Sequence, residues 1–323
     1  MLVSKLLTIY IPLIGWIGLG WILGRLLPAS TPTYIGKFLF WIGVPIGIVA
    51  FLRHTQLSAS LWIAPATAWT AILLGAGLAW VWMTYRQRFV KGAGNWGLGA
   101  NRQTQTSFLL TSMVGNTGYI GFPVSLALVG PQYFAWAVFY DLLGSTPGAY
   151  GLGVALAAQT GTSRPDWRQP LRTMLINPAL WSFGMGLVGR DVPIPALAES
   201  SLRGFAWMVV SVSLVLVGMR LSQLSSFNSV RPAVISLSIK MLLVPLVLGI
   251  GLWALGITGQ VYRAILLQMA MPPAFATLVI SEAYELDREM AVTAIAIGCL
   301  GLLITLPIWL WLFSIQDVAT VFR

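Results

Sequence analysis

The sequence predicts an all-α integral membrane protein of about ten spans in two inverted five-helix repeats, with helices 4 and 9 broken. Three observations lead there. The 323 residues are 57% apolar and only 9% charged, whereas a soluble domain carries about a quarter charged residues. Apolar runs of span length recur along the whole chain, each about the 20 residues a bilayer crossing needs. Two of those runs carry Gly and Pro in mid-span, where an ordinary helix has neither.

The predicted spans are 6–27, 34–52, 60–84, 105–129, 132–158, 173–189, 198–221, 233–255, 262–281 and 290–313. Lipid offers no partner to backbone N–H and C=O groups, so the runs must be helices. They are too long, and not alternating, for barrel strands. The first run follows Lys5 like a signal peptide, yet continues to about Leu27 with no small-residue cleavage site, so it reads as a retained helix. The 15 Trp suit membrane–water interfaces. The net charge of +10 sits in short loops and records orientation, so no nucleic-acid partner is expected. Roughly two-thirds of the Lys and Arg follow helices 1, 3, 5, 7 and 9, among them Arg86, Arg88, Lys91, Arg164, Arg168 and Arg172. By the positive-inside rule those loops are cytoplasmic and both termini extracytoplasmic, in a multi-pass protein of the cytoplasmic (plasma) membrane.

The chain repeats itself weakly. Gly18-Leu19-Gly20 and then Gly24-Arg25 with Pro28 is matched by Gly184-Met185-Gly186 and then Gly189-Arg190 with Pro193. Helix 3 has Pro65, Gly75, Gly77 and Trp80; helix 8 has Pro245, Gly249, Gly251 and Trp253. An odd number of helices per unit makes the second unit enter the membrane inverted, as in many secondary transporters. The organisation is then 1–158, a cytoplasmic linker at 159–172, and 173–323.

Helix 4 reads Gly115-Asn116-Thr117-Gly118-Tyr119-Ile120-Gly121-Phe122-Pro123, and helix 9 reads Met271-Pro272-Pro273-Ala274-Phe275-Ala276-Thr277. Pro removes an N–H and blocks the carbonyl four residues back, and the residue before Pro leaves the α region. Unwinding is expected around Gly115–Pro123 and at the paired prolines. Two breaks facing one another present bare peptide dipoles, whose positive half-helix ends suit a carboxylate. Asn116 adds an amide that can donate to a carboxylate.

These strings resemble the auxin efflux carrier family, with its bacterial members and the plant PIN proteins. The resemblance lies in Gly115-Asn116-Thr117-Gly118 with Gly121-Phe122-Pro123, in Ala270-Met271-Pro272-Pro273-Ala274 with Ser281-Glu282-Ala283-Tyr284 and Leu306-Pro307, and in Asn177-Pro178. It implies a fold similar to bile-acid symporters and sodium–proton antiporters, with helices 4 and 9 crossing at the substrate site and an elevator mechanism. Helices 1, 2, 6 and 7 would form the scaffold, and 3–5 with 8–10 the moving part. The implied cargo is a small organic anion, auxin-like or another carboxylate, met by Gly115, Asn116, Thr117, Pro123, Met271, Pro272, Pro273, Ala276 and Thr277. Bacterial relatives often carry Asn where this chain has Ala276, and Thr277 is expected to replace it in part.

Asp141 lies within helix 5 and is a candidate for proton or ion coupling, since an intramembrane carboxylate is functional by default. The bland alternative pairs it with Ser145, Thr146 or backbone freed by Pro147. Lys240 is expected to snorkel to the headgroups. His54 is expected at an interface, and the acidic run from Glu282 to Glu289 in a solvated turn. With one His and one Cys the inventory offers no metal site and no cofactor, which weighs against an intramembrane enzyme. A cation- or proton-coupled carrier of a non-carboxylate stays open as an alternative, as does a channel. Gly20/Gly24, Gly43/Gly47 and Gly144/Gly148 have the spacing that lets helices approach closely, and a homodimer is left open.

Overall fold

The computed structural model describes residues 2–55, 57–89, 101–160, 172, 175–223 and 229–321. The proposed linker 159–172 falls almost wholly outside the described residues. Among the described residues the architecture is helical.

Helix α1 is Leu2–Leu26. Helix α2 runs over Thr31–Leu52 with a π-helical stretch at Leu39–Gly43, and α3 is Ile63–Phe89. Helix α4 comes in two halves, α4a at Arg102–Met113 and α4b at Thr117–Leu128. Helix α5 begins at Phe134–Tyr140, passes through π-helical turns at Asp141–Ser145 and Gly148–Gly153, and ends at Val154–Ala158. Helices α6, α7 and α8 are Pro178–Val188, Ala196–Ser222 and Val230–Ala254. Helix α9 is also in halves, α9a at Gly259–Met269 and α9b at Phe275–Ala283. Helix α10 is Arg288–Val321.

Thr31–Leu52, Ala59–Arg88, Ala196–Ser222, Val230–Ala254 and Arg288–Leu312 are each long and apolar enough to cross a membrane. Large apolar side chains, including Trp41, Trp62, Trp80, Trp181 and Trp311, are exposed around the molecule. So broad an exposed apolar surface suits lipid rather than water, and the protein is membrane-embedded.

The elements pack in two groups. Helices α1, α2, α6 and α7 form one, with α1 lying along α7 and α2 against α6 and α7. Helices α3, α4, α5, α8, α9 and α10 form the other, in which α3 packs on α4a and α5, and α10 on α8 and α4a. Glycine sets the closest approaches. A Cβ on Gly20 would lie 2.0 Å from the Val215 carbonyl oxygen, and one on Gly218 2.0 Å from that of Ile17, so the backbones of α1 and α7 touch directly. In the second group Gly144 seats the Ala68 methyl and Gly148 the tip of Ile72. These glycines serve packing within the chain. The groups meet where Phe51 of α2 makes an edge contact with Phe134 of α5, and where the Thr55 hydroxyl donates to the Pro131 carbonyl at 2.9 Å.

His54 is less solitary than its place in the sequence suggests. Its Nε2 lies 2.6 Å from Glu199 Oε1, and Arg53 reaches Glu199 at 3.2 Å. Arg53 also donates to the carbonyls of Gly189 and Val192 at 2.6 and 2.8 Å. The cluster ties the end of α2 to the start of α7 and to the turn after α6. The acidic turn is equally engaged: Glu282 pairs with Arg288 at 2.6 Å, and Asp287 accepts from Thr104 at 2.7 Å.

Candidate functional site

Both predicted interruptions are present, and they meet. Pro272 and Pro273 have no N–H, so that stretch of α9 can only accept until Ala274. The Pro272 carbonyl accepts from the Asn116 N–H at 2.7 Å, and the Ala274 N–H donates to the Val114 carbonyl at 3.1 Å. Gly115 and Pro273 thus form a short antiparallel pair. Each broken helix satisfies orphan backbone groups of the other, as buried peptide groups require. Gly115 is tightly seated: a Cβ there would lie 3.1 Å from Lys240 Cε and 3.3 Å from the Met271 carbonyl oxygen, so its neighbours would have to give by a few tenths of an ångström.

The break in α4 is shorter than the expected Gly115–Pro123. Only Val114–Asn116 leaves the helix, and Thr117–Gly121 closes a π-helical turn before the α-helix resumes at Phe122. Pro123 follows directly on that π-helical turn, at the start of the α-helical stretch Phe122–Leu128, and the half-helix runs through it without a break. The Asn116 Oδ1 caps the new half by accepting from the Tyr119 N–H at 3.1 Å.

A cavity of about 160 Å³ opens beside the crossing, lined by Gly115, Asn116, Thr117, Tyr119, Asp141, Tyr150, Asn177 and Ala276, with Phe40, Phe122 and Phe275 among its apolar walls. The Asn116 side chain is almost fully buried, and its Nδ2 has no partner. A buried amide donor left unpaired is costly unless something comes to meet it. Asp141 accepts a hydrogen bond from the Thr117 hydroxyl. Its partner is therefore on α4, across the site, and not Ser145, Thr146 or the backbone near Pro147.

Of the residues predicted to meet cargo, Gly115, Asn116, Thr117 and Ala276 line the cavity, as does Asp141. Met271, Pro272 and Pro273 are buried in the crossing itself and contribute through backbone. Pro123 lines a smaller void against α2 and α7. Thr277 is fully buried and donates to the Ala274 carbonyl at 2.7 Å, so it does not stand in for a polar group at Ala276. Ala276→Val is expected to narrow the cavity and weaken cargo binding about tenfold or more, since overpacking costs about 1–3 kcal/mol. Thr277→Val should instead lower the melting temperature and leave cargo affinity unchanged. Binding isotherms and thermal melts on both variants check this.

Lys240 corrects a second expectation. It does not reach the headgroups; it is 2% exposed, and its ammonium donates to the Met269 carbonyl at 2.8 Å, at the C-terminal end of α9a. The π-helical turn Ser238–Leu243 places it there, and a cation suits the negative end of a helix. Sequence reasoning also did not assign to the site Tyr150, which carries no motif of its own, nor Tyr119 and Asn177, which figure in it only as parts of longer strings. It missed Arg220 as well, whose guanidinium carbon stands 4.8 Å from the centre of the Phe275 ring. Among the described residues no three His, Cys, Asp or Glu side chains converge to hold a metal ion.

Comparison with known proteins finds likeness to membrane transporters. The chain is 23% identical over 278 residues to an uncharacterized transporter of Methanothermobacter thermautotrophicus, spanning 85% of this chain and 87% of the relative. It is 28% identical over 211 residues to an uncharacterized transporter of Methanocaldococcus jannaschii, spanning 63% of this chain and 67% of that one. Residues 167–310 match the family of membrane transport proteins, so the chain is a membrane-embedded protein whose likeness, in its second half by family and along most of its length by relatives, is to membrane transporters.

Proposed function

We propose that the protein is a secondary transporter that binds a small organic anion at the crossing of α4 and α9 and carries it by an elevator-type, alternating-access motion. The observation that carries the reading is that Asn116, whose side-chain amide is buried and unpartnered, lines a cavity beside two interrupted helices. A broken helix at membrane depth is tolerated where it is covered by protein or lines a cavity, and transporters use such breaks as binding sites. In this reading the chain crosses the plasma membrane ten times, with 1–158 and 173–323 as inverted repeats joined by 159–172 and both termini outside. The division of the helices into two packed groups supports α1, α2, α6 and α7 as the scaffold and the rest as the moving body. Asp141 on the cavity wall favours a coupled form of the same reading, in which a proton or cation accompanies the cargo.

The test is counterflow in proteoliposomes. A carrier loaded inside with cargo accelerates uptake from outside; a channel does not. Asn116→Ala is expected to reduce uptake more than tenfold, because a lost hydrogen bond to a charged group costs about 1.5–3 kcal/mol. Folded protein should still be recovered, since the backbone bonds of Asn116 persist and the lost cap on the Tyr119 N–H costs only about 1 kcal/mol. Full uptake by Asn116→Ala would remove the site from the crossing.

A further inference from the structure

The cavity beside the crossing has two electrostatic poles, and they are of opposite sign. One is a donor pole. It holds the Asn116 Nδ2, buried and without a partner. Directly behind the adjoining wall lies the Lys240 ammonium, 3.2 Å from where a Cβ on Gly115 would stand. Among the described residues its only hydrogen-bond partner is the Met269 carbonyl, at 2.8 Å, and none of their carboxylates lies within 4 Å of it to neutralise it. A buried cation without a counter-ion raises the local potential, because little solvent screens it.

The other is an acceptor pole. Asp141 lines the same cavity. One of its oxygens is occupied by the Thr117 hydroxyl. The second lies 3.7 Å from the Cβ position of Gly118, so the absence of a side chain there leaves that oxygen approachable. A simple anion seated on Asn116 would sit close to this fixed carboxylate, and like charges in a poorly screened site repel. A simple cation seated on Asp141 would leave the Asn116 amide unpaired and meet the field of Lys240.

We propose that the cargo is a small zwitterion of the amino-acid type, whose carboxylate takes the Asn116 amide on the Lys240 side and whose ammonium takes the free oxygen of Asp141. The inference rests on the transporter reading and replaces its simple organic anion by a carboxylate that also carries an ammonium. Size agrees: the cavity of about 160 Å³ is close to the roughly 150 Å³ that holds one benzene molecule, so the cargo has about six to eight non-hydrogen atoms. Aromatic and aliphatic walls suit a short hydrocarbon between the two charges. With Lys240 and Asp141 offsetting one another and a neutral cargo between them, the loaded site carries no net charge from these groups.

The experiment compares isosteres on purified wild-type protein. Thermal shift and isothermal titration are run with alanine and γ-aminobutyrate as zwitterions, propionate and butyrate as anions, and propylamine as the cation. At least one zwitterion is expected to bind about tenfold or more tighter than the matching anion and the amine, the scale of one charge-assisted hydrogen bond. In Asp141→Asn that preference should vanish while the matching anion binds as well as before or better; retained anion binding also shows that the variant is folded. Equal binding of anion and zwitterion, or a zwitterion preference that survives Asp141→Asn, overturns the proposal. Binding of none of the five compounds overturns it too. The transporter reading fails separately, on counterflow with whichever cargo binds.

Discussion

Gly218→Leu is expected to separate α1 from α7 and to lose most of the folded protein. A Cβ at Gly218 would lie 2.0 Å from the Ile17 carbonyl oxygen and 2.8 Å from the Trp21 nitrogen. Both are main-chain atoms of a helix, so no side-chain rotation can relieve the overlap. Overpacking against mobile side chains costs about 1–3 kcal/mol; here two helices must move apart, and the cost should exceed about 3 kcal/mol for the same physical reason. The polar backbone of α1 would then face lipid more openly, without gaining any partner. Gly77→Leu is the control, since a Cβ at Gly77 meets nothing within 4 Å. Size-exclusion profiles and thermal melts should show aggregation or a large fall in melting temperature for Gly218→Leu, and wild-type behaviour for Gly77→Leu. Equal melting of the two variants would mean that the α1–α7 contact is not as close as described.

Lys240→Met is expected to separate stability from transport. Two effects oppose one another on stability. Losing the ammonium leaves the Met269 carbonyl without its side-chain donor, which costs about 1–3 kcal/mol. It also removes a buried, unpaired charge, whose desolvation penalty is several kcal/mol per ion. The second effect is larger, so the melting temperature should hold or rise. Function should move the other way. The positive field behind Gly115 disappears, and the end of α9a loses the charge that offsets its dipole. Transport is expected to fall about tenfold or more, by the loss of at least about 1.4 kcal/mol of favourable charge interaction with a cargo carboxylate. Lys240→Arg should not rescue it, because the larger planar head cannot occupy the slot beside Gly115. Proteoliposome uptake and thermal melts on the same preparations decide this, and a destabilised but fully active Lys240→Met would refute the assignment.

Much of the site could be read from local chemistry, and the misses share one cause. The pair Pro272-Pro273 forces a break wherever it is placed in a helix, because two successive donors are gone. Gly115 and Asn116 mark the matching break, and Asn116 then caps the resumed helix through its own side chain. Pro123 misled the reading of length: the half-helix that starts at Thr117 passes through it, and the π-helical turn Thr117–Gly121 just before it is a local change of winding that residue type alone does not announce. Thr277 could at best replace an Asn at Ala276 in part, since one residue along a helix turns a side chain about 100°, here onto the Ala274 carbonyl. Lys240 was read by its distance from a helix end. Its partner, Met269, is 29 residues away in sequence, and no local pattern announces such a contact.

Residues alone, then, determined that this chain lives among lipid tails, that it is built of helices, and that two of those helices cannot run unbroken. Those outcomes follow from composition and from missing N–H groups, which are properties of a residue and its immediate neighbours. Tertiary structure decided that the two gaps close on each other through the Asn116 and Ala274 N–H groups. It also decided that the Lys240 charge is held inside, and that Asp141 shares a cavity with Asn116 while Thr277 does not. These are matters of which distant segments pack side by side, settled by the summed close approaches of glycines and side chains across helices, and they cannot be assigned from any single stretch of sequence.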